Sequence, residues 1–229
     1  MEEVKFFLFL GLDKILFRAQ NSKKEFFFKK EILLNSFSIE ENFNHLRIFL
    51  DNNIIDIEKE LNNYINEITM IVDYEEFINV DMSFNYKNKS KNLDLSNSII
   101  DLRNSFIRTN HGYEVVHCLV NKYIINKKSY TILPDDFVNK DLSLEIRFIC
   151  LKSQIIQKFK DILIKYQISL KKIICSKYIK DFNNNNKGTN QIFVLAEEIS
   201  NGLNDKEIFI SKRSNKNKGI FEKFFNLFN

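Results

Sequence analysis

Two kinds of hydrophobic spacing alternate along the chain. Near-continuous apolar runs at 4–10 and 14–19, separated only by Gly11-Leu12-Asp13, predict two buried strands joined by a very short turn. A third strand, 25–34, follows the polar turn at 21–24, so the chain opens as a meander. Ser38 and Glu41 then stand at the spacing of a capping box. Beyond them Ile54, Ile57, Leu61, Tyr64, Ile65 and Ile68 recur at three- and four-residue steps, which predicts one long amphipathic helix leading into a strand at 68–72.

A polar connector at 87–92 introduces a second unit. Its pattern predicts a helix at 96–107, strands at 113–120, 123–125 and 144–151, and a helix at 153–166 with Ile155, Ile156, Phe159, Ile162 and Leu163 on one side. A strand at 170–178 follows. This order of helix, strand, strand, helix and strand describes a small α+β sandwich, an architecture used more for contacts than for chemistry. The asparagine-rich stretch 183–190 reads as a solvated loop, 192–196 as a strand, and 211–218 as a flexible basic linker. In the last segment, 219–229, steps of 100° gather Ile220, Phe221, Phe224, Phe225, Leu227 and Phe228 within an arc of roughly 160°, opposite Glu222, Lys223, Asn226 and Asn229.

Composition narrows the function. With 44% apolar residues the 229-residue chain can bury a substantial core, and no apolar run approaches the ~20 residues of a spanning helix. Contact with a bilayer must therefore be lateral. The five glycines nowhere form G-x-G, so neither a dinucleotide fingerprint nor a P-loop can be written. The net charge of +4 is matched by the residues from Ser211 onward, where Lys212, Arg213, Lys216, Lys218 and Lys223 face Glu222 alone, and the body is neutral. Phenylalanine beside lysine at this position is the composition of an interfacial helix on anionic lipid.

Candidate chemistry is sparse. Cys118, Cys150 and Cys175 are widely spaced within apolar stretches, as buried thiols of a reducing compartment would be. His117 and Cys118 point to opposite faces of a strand, so a core imidazole beside a satisfied thiol is favoured over a metal site. The acid pairs Asp135-Asp136 and Glu197-Glu198 diverge in direction and read as solvated carboxylates, so no catalytic residue is assigned and the chain is read as not an enzyme. Nucleic acid is also set aside, because the tail aromatics form one apolar face instead of separate stacking platforms.

The order of these elements resembles a known family, the bacterial cell-division protein FtsA, an actin-like membrane tether. The best stretch, from Val115 to Tyr178, is similar to the family's strand with histidine and following tyrosine, its long excursion, returning strand, helix and isoleucine-rich strand. His117 and Tyr123 fall on the family's V-x-H-x-x-x-x-x-Y pattern, and 93–107 resembles the helix that opens the inserted 1C, or SHS2, subdomain. Gly11-Leu12-Asp13 with Lys14-Ile15-Leu16 resembles the start of subdomain 1A, and KGIFEKFFNLFN resembles the C-terminal membrane-targeting helix.

The resemblance implies an α+β chain with a partial actin-like unit (1–83 and 169–210), an inserted SHS2-like subdomain (84–168), a basic linker (211–218) and an amphipathic helix (219–229). The family's phosphate loops have no counterpart here, and there is no room for subdomains 2A and 2B. The expectation is therefore a shortened relative whose ATP site is lost and which takes no cofactor or metal. It implies a cell-division adaptor at the cytoplasmic face of the inner membrane, meeting division proteins through the 1C-like surface, while the family's contact between subunits lies in the missing 2B. The weakly binding tail points separately to self-association or to recruitment by a polymer. FtsZ binding, which the family assigns to 2B, stays open. The tail residues Ile220, Phe221, Phe224, Phe225, Leu227 and Phe228 would enter the membrane while Lys212, Arg213, Lys216, Lys218 and Lys223 meet anionic headgroups. Alternatives are a pilus-assembly scaffold like PilM, which shares the 1A and 1C layout, and a remnant with a protein-interaction role only.

Overall fold

The computed structural model describes residues 4–35, 38–86, 95–134, 141–182 and 189–208. Within them lie two sheets and five helices, a mixed α+β architecture. The first sheet has the order β3-β2-β1-β4-β9, from β1 (Lys5–Leu10), β2 (Lys14–Gln20), β3 (Phe26–Leu33), β4 (Glu67–Val72) and β9 (Ser169–Cys175). β2 is antiparallel to both neighbours, while β1, β4 and β9 run parallel.

The continuous apolar runs of β1 and β4 follow from cover on both faces. On one face α1 (Ile39–Leu61) and α3 (Ser153–Ile164) set Phe43, Leu46 and Phe159 against Phe6, Leu8 and Leu10. On the other, α4 (Ser176–Phe182) and α5 (Thr189–Ser200) set Tyr178, Phe193 and Ala196 against Phe7, Phe9, Ile71 and Ile174. Ser38 caps α1 by accepting from the Glu41 N–H at 3.2 Å. The helix stops at Leu61, where Asn62 turns left-handed (φ 47°), so Tyr64, Ile65 and Ile68 continue the helical spacing without belonging to the helix.

The second sheet is antiparallel throughout, in the order β5-β8-β6-β7, from β5 (Ile78–Tyr86), β6 (Tyr113–Ile125), β7 (Lys128–Tyr130) and β8 (Leu142–Lys152). α2 (Leu95–Thr109) covers one face with Ile99 and Phe106, packing among Val120, Leu144, Phe148 and Cys150. The opposite face is polar over its outer part, where Asp81 holds Arg147 at 2.7 and 3.0 Å and the Ser143 hydroxyl donates to Asn85 at 2.6 Å, and joins the cores of the first sheet through Ile149 and Leu151. β6 is one strand where two were expected, because the polar pair Asn121-Lys122 is absorbed by a register shift between Val120 and Lys122.

β9 pairs with β4, which pairs with β1, so the chain returns to its first sheet after building the second. The second sheet begins at Ile78, ahead of the expected 84, and α3 packs with α1 in the first core although it falls within 84–168. The apolar side of α3 is what takes it there, through contacts such as Phe159 on Phe43 at 5.2 Å between ring centres.

Two expectations are corrected. Residues 176–178 leave the strand to begin α4, and 192–196 is the middle of α5, not a strand. In α5, Phe193, Ala196, Glu197 and Ile199 are the buried positions, a three-and-four spacing hidden inside a short apolar run. Gly202 (φ 94°) ends the helix, with the Leu203 N–H bonded to the Glu198 carbonyl and the Gly202 N–H to that of Ile199. The linker 211–218, the segment 219–229 with all its proposed lipid contacts, and Asp135-Asp136 lie outside the described residues.

Candidate functional site

The two ends of the first sheet differ in chemistry. Parallel strands usually present ligand crevices at their carboxyl ends. Here that end is occupied by the chain itself. The Gly11 N–H bonds the Lys14 carbonyl at 3.0 Å, and a Cβ on Gly11 would lie 2.9 Å from Asp13 Oδ1 and 3.0 Å from the Phe9 ring. The Gly11 carbonyl accepts from Asn42 Nδ2 of α1 at 2.8 Å, and the same amide donates to the Tyr74 hydroxyl at 2.9 Å. Burial raises the Tyr74 phenol well above its usual pKa. Beside it Asp73, just past β4, is held by Lys180 at 2.8 Å. The turn therefore offers α1 a carbonyl, where a phosphate cradle needs amide N–H groups.

The opposite end opens on a cavity of about 470 Å³ where the two sheets meet. Its walls come from the start of β1 (Lys5, Phe7), from Glu67 and Thr69 of β4, from Val115, Val116, His117 and Cys118 of β6, from Arg103 of α2, and from Glu197 and Ser200 of α5. Charges within it are largely paired. Lys5 Nζ meets Glu197 Oε1 at 2.8 Å, Gln20 donates to the other oxygen of Glu197, and Lys171 holds Glu67. Burial pushes the Glu197 carboxyl up, but Lys5 and Gln20 together outweigh it and hold the group below the usual carboxylate range. Glu197 is thus a buried, paired acid and not the solvated one its sequence neighbours suggested. The Ser200 hydroxyl, also on the wall, is buried without a hydrogen-bond partner among the described residues.

Behind the cavity His117 anchors a buried network. Its Nε2 accepts from the Cys175 N–H at 3.1 Å, which leaves the proton on Nδ1 to be donated to Glu207 Oε1 at 2.7 Å. The second oxygen of Glu207 accepts from the Tyr178 hydroxyl at 2.9 Å, and Asn204 Nδ2 donates to that hydroxyl at 2.6 Å. Burial lowers the His117 pKa, so the ring is held neutral. The segment 204–208 also lies along β6, with the Val120 N–H on the Lys206 carbonyl at 2.8 Å and the Ile208 N–H on the Cys118 carbonyl at 2.9 Å. One cluster therefore ties together the second sheet, the end of β9 and the segment before the tail.

These groups are spent on structure. Burial pushes the Cys118 thiol to about 12 and Cys150 to about 11, far from a reactive thiolate. Among the described residues no three His, Cys, Asp or Glu side chains gather as a metal site. His117 is the core imidazole that its strand position predicts, whereas its partner Glu207 stands 90 residues away with no local pattern to mark it.

No family model matches the chain, and no curated protein matches it. Among solved structures, the PilM-PilN type IV pilus biogenesis complex is similar over 80% of this chain and 49% of its own, at 6% identity and a TM-score of 0.46. The Argonaute of Marinitoga piezophila, in complex with 5′ OH guide RNA and target DNA, is similar over 71% of this chain and 25% of its own, at 10% identity and a TM-score of 0.23. The chain spans about half the length of the pilus protein it is similar to. Likenesses this distant do not favour one function over another.

Proposed function

We propose that the chain is a non-enzymatic, membrane-associated adaptor of the cell-division kind that the FtsA resemblance implies, acting without a nucleotide. The observation that carries the reading is the topology: a meander sheet that pauses after β4, builds a second sheet, and returns as β9. Its β1–β2 turn is closed on α1 through Asn42, which suits the expected loss of the ATP site. The cavity between the sheets, with Phe7, Val115 and Val116 on its walls beside paired charges, suits an extended segment of a partner protein better than a reacting substrate.

The tail supplies the membrane contact in this reading. Ile220, Phe221, Phe224, Phe225, Leu227 and Phe228 would each contribute at most about 1.5–3 kcal/mol if fully buried, and an interfacial helix buries them in part. The five basic residues Lys212, Arg213, Lys216, Lys218 and Lys223 add about 1 kcal/mol each beside anionic lipid. Ordering the segment costs ~1–2 kcal/mol per residue, so the net attraction is weak, reversible and salt-sensitive. Weak tails localise a protein when several copies act together.

Sedimentation with anionic liposomes tests this. Phe224→Glu places a charge in the centre of the apolar arc and is expected to abolish binding, whereas Asn226→Glu on the polar arc weakens it slightly. Equal behaviour of the two variants, or no lipid binding by the parent, overturns the membrane-tether reading.

A further inference from the structure

Sheet edges are templates for pairing, and proteins ordinarily guard them with lysine, proline, bulges or short length. Three edges of this molecule follow that rule. β3 carries Lys29, Lys30 and Glu31 and pairs across a register shift at Ala19/Gln20. β9 carries Lys171 and Lys172, and β7 is three residues long. β5 does not follow it. Its nine residues pair with β8 in unbroken register from Ile78 to Tyr86, and Asp81 is its only charge. Among the described residues no backbone hydrogen bond joins its outer edge to another segment.

We infer that β5 is a self-pairing edge, through which two copies of this chain join antiparallel about a two-fold axis at Met82. The strand's own sequence argues for this occupant. In that register Val80 stands opposite Phe84, Met82 opposite itself and Asn79 opposite Asn85, while Asp81 stands opposite Ser83 and never opposite its own copy. Apolar residues meet apolar ones on the face covered by α2, where Val80 and Met82 are left half-buried. Polar residues meet polar ones on the other face. A two-fold contact requires one self-complementary patch, and this strand is such a patch along its length. Joining two copies makes one eight-stranded sheet with both copies of α2 on the same side.

This gives a surface to the self-association in the adaptor reading, but its test involves no lipid, so either can fail without the other. The full chain is studied by sedimentation velocity over a concentration series, in a Phe224→Glu background that removes association through the aromatic tail. Ser83 is exposed, and its substitution leaves the core untouched. Asp81 is already paired with Arg147, and Glu145 stands across β8 from position 83, so Ser83→Asp, which sets two like-charge pairs against Asp81 of the opposite copy, is expected to weaken the dimer about twofold, and Ser83→Lys to strengthen it by a similar factor. Met82→Lys, which puts two cations face to face at the axis, is expected to weaken it about tenfold or more. A monomer at every concentration overturns the proposal. So does a dimer whose affinity ignores the sign of the charge at position 83, since that places the contact elsewhere. If the outward-facing β5 amides, those not bonded to β8, are protected from hydrogen exchange in a monomer, the chain's own remaining residues cover the edge, which also overturns it.

Discussion

The carboxyl and amino ends of the first sheet are built from the same three parallel strands, yet one is sealed and the other open. At the sealed end a single buried amide, Asn42 of α1, ties the turn carbonyl of Gly11 to the Tyr74 hydroxyl. At the open end the second sheet stands across the strand starts and leaves a cavity walled by paired charges. The concave surface of this sheet thus lies at its strand starts, against the second sheet. The usual rule for where ligands bind in parallel sheets depends on what occupies the strand ends as well as on topology.

The largest test of this contrast lies behind the open end. Glu207→Ala strips the acceptor from both the His117 Nδ1–H and the Tyr178 hydroxyl, which are buried, and is expected to cost about 3 kcal/mol in urea unfolding. A loss under about 1 kcal/mol would show that the network is not what holds the second sheet to the first. Next comes the sealed end. Asn42→Ala frees the Gly11 carbonyl and the Tyr74 hydroxyl and should cost about 2 kcal/mol while conferring no ATP binding by calorimetry. Should that variant gain ATP affinity, a nucleotide site lies behind the plug, and the contrast between the ends is one of gating instead of loss.

The smallest effect is pH dependence. The His117 pKa is lowered below its ordinary value of 6.5, so the unfolded chain binds the extra proton first as pH falls. Stability from this group is complete above pH 6.5 and declines as the solution is acidified, by at most about 1.4 kcal/mol per pH unit. The lowered Glu197 carboxyl adds loss of the same sign only below its ordinary value of 4.5, which separates the two windows. Urea midpoints of the parent and of His117→Gln, compared across the upper window, should diverge at neutral pH and approach each other toward the acid side. Parallel curves would mean that His117 does not titrate differently in the folded chain.

Much of the frame was legible in the sequence because local signals and tertiary packing agree there. The short Gly11-Leu12-Asp13 turn, the Ser38 cap, the apolar side of α3 and the return of β9 each have a short-range mark that the fold preserves. The errors fall where two patterns overlap. Ile192 to Ala196 is a continuous apolar run that a buried strand and a buried helix can share, and only Gly202 and the burial of Ile199 separate them. The helical spacing of Tyr64, Ile65 and Ile68 runs past a helix that Asn62 has already ended. Glu197 and Glu207 were illegible as structural acids for another reason: Lys5, Gln20, His117 and Tyr178 reach them from remote parts of the chain, and no local spacing encodes a partner that far away.

The placement of 204–208 along β6 has a mechanical consequence. The chain beyond Ile208 leaves from the second sheet, so tension applied there enters through the Ile208 and Lys206 bonds to β6 before it reaches the first sheet. Glu207, sitting between those two bonds, grips His117 on β6 with one oxygen and Tyr178 on α4 with the other. The load is thereby divided between both halves at a single residue.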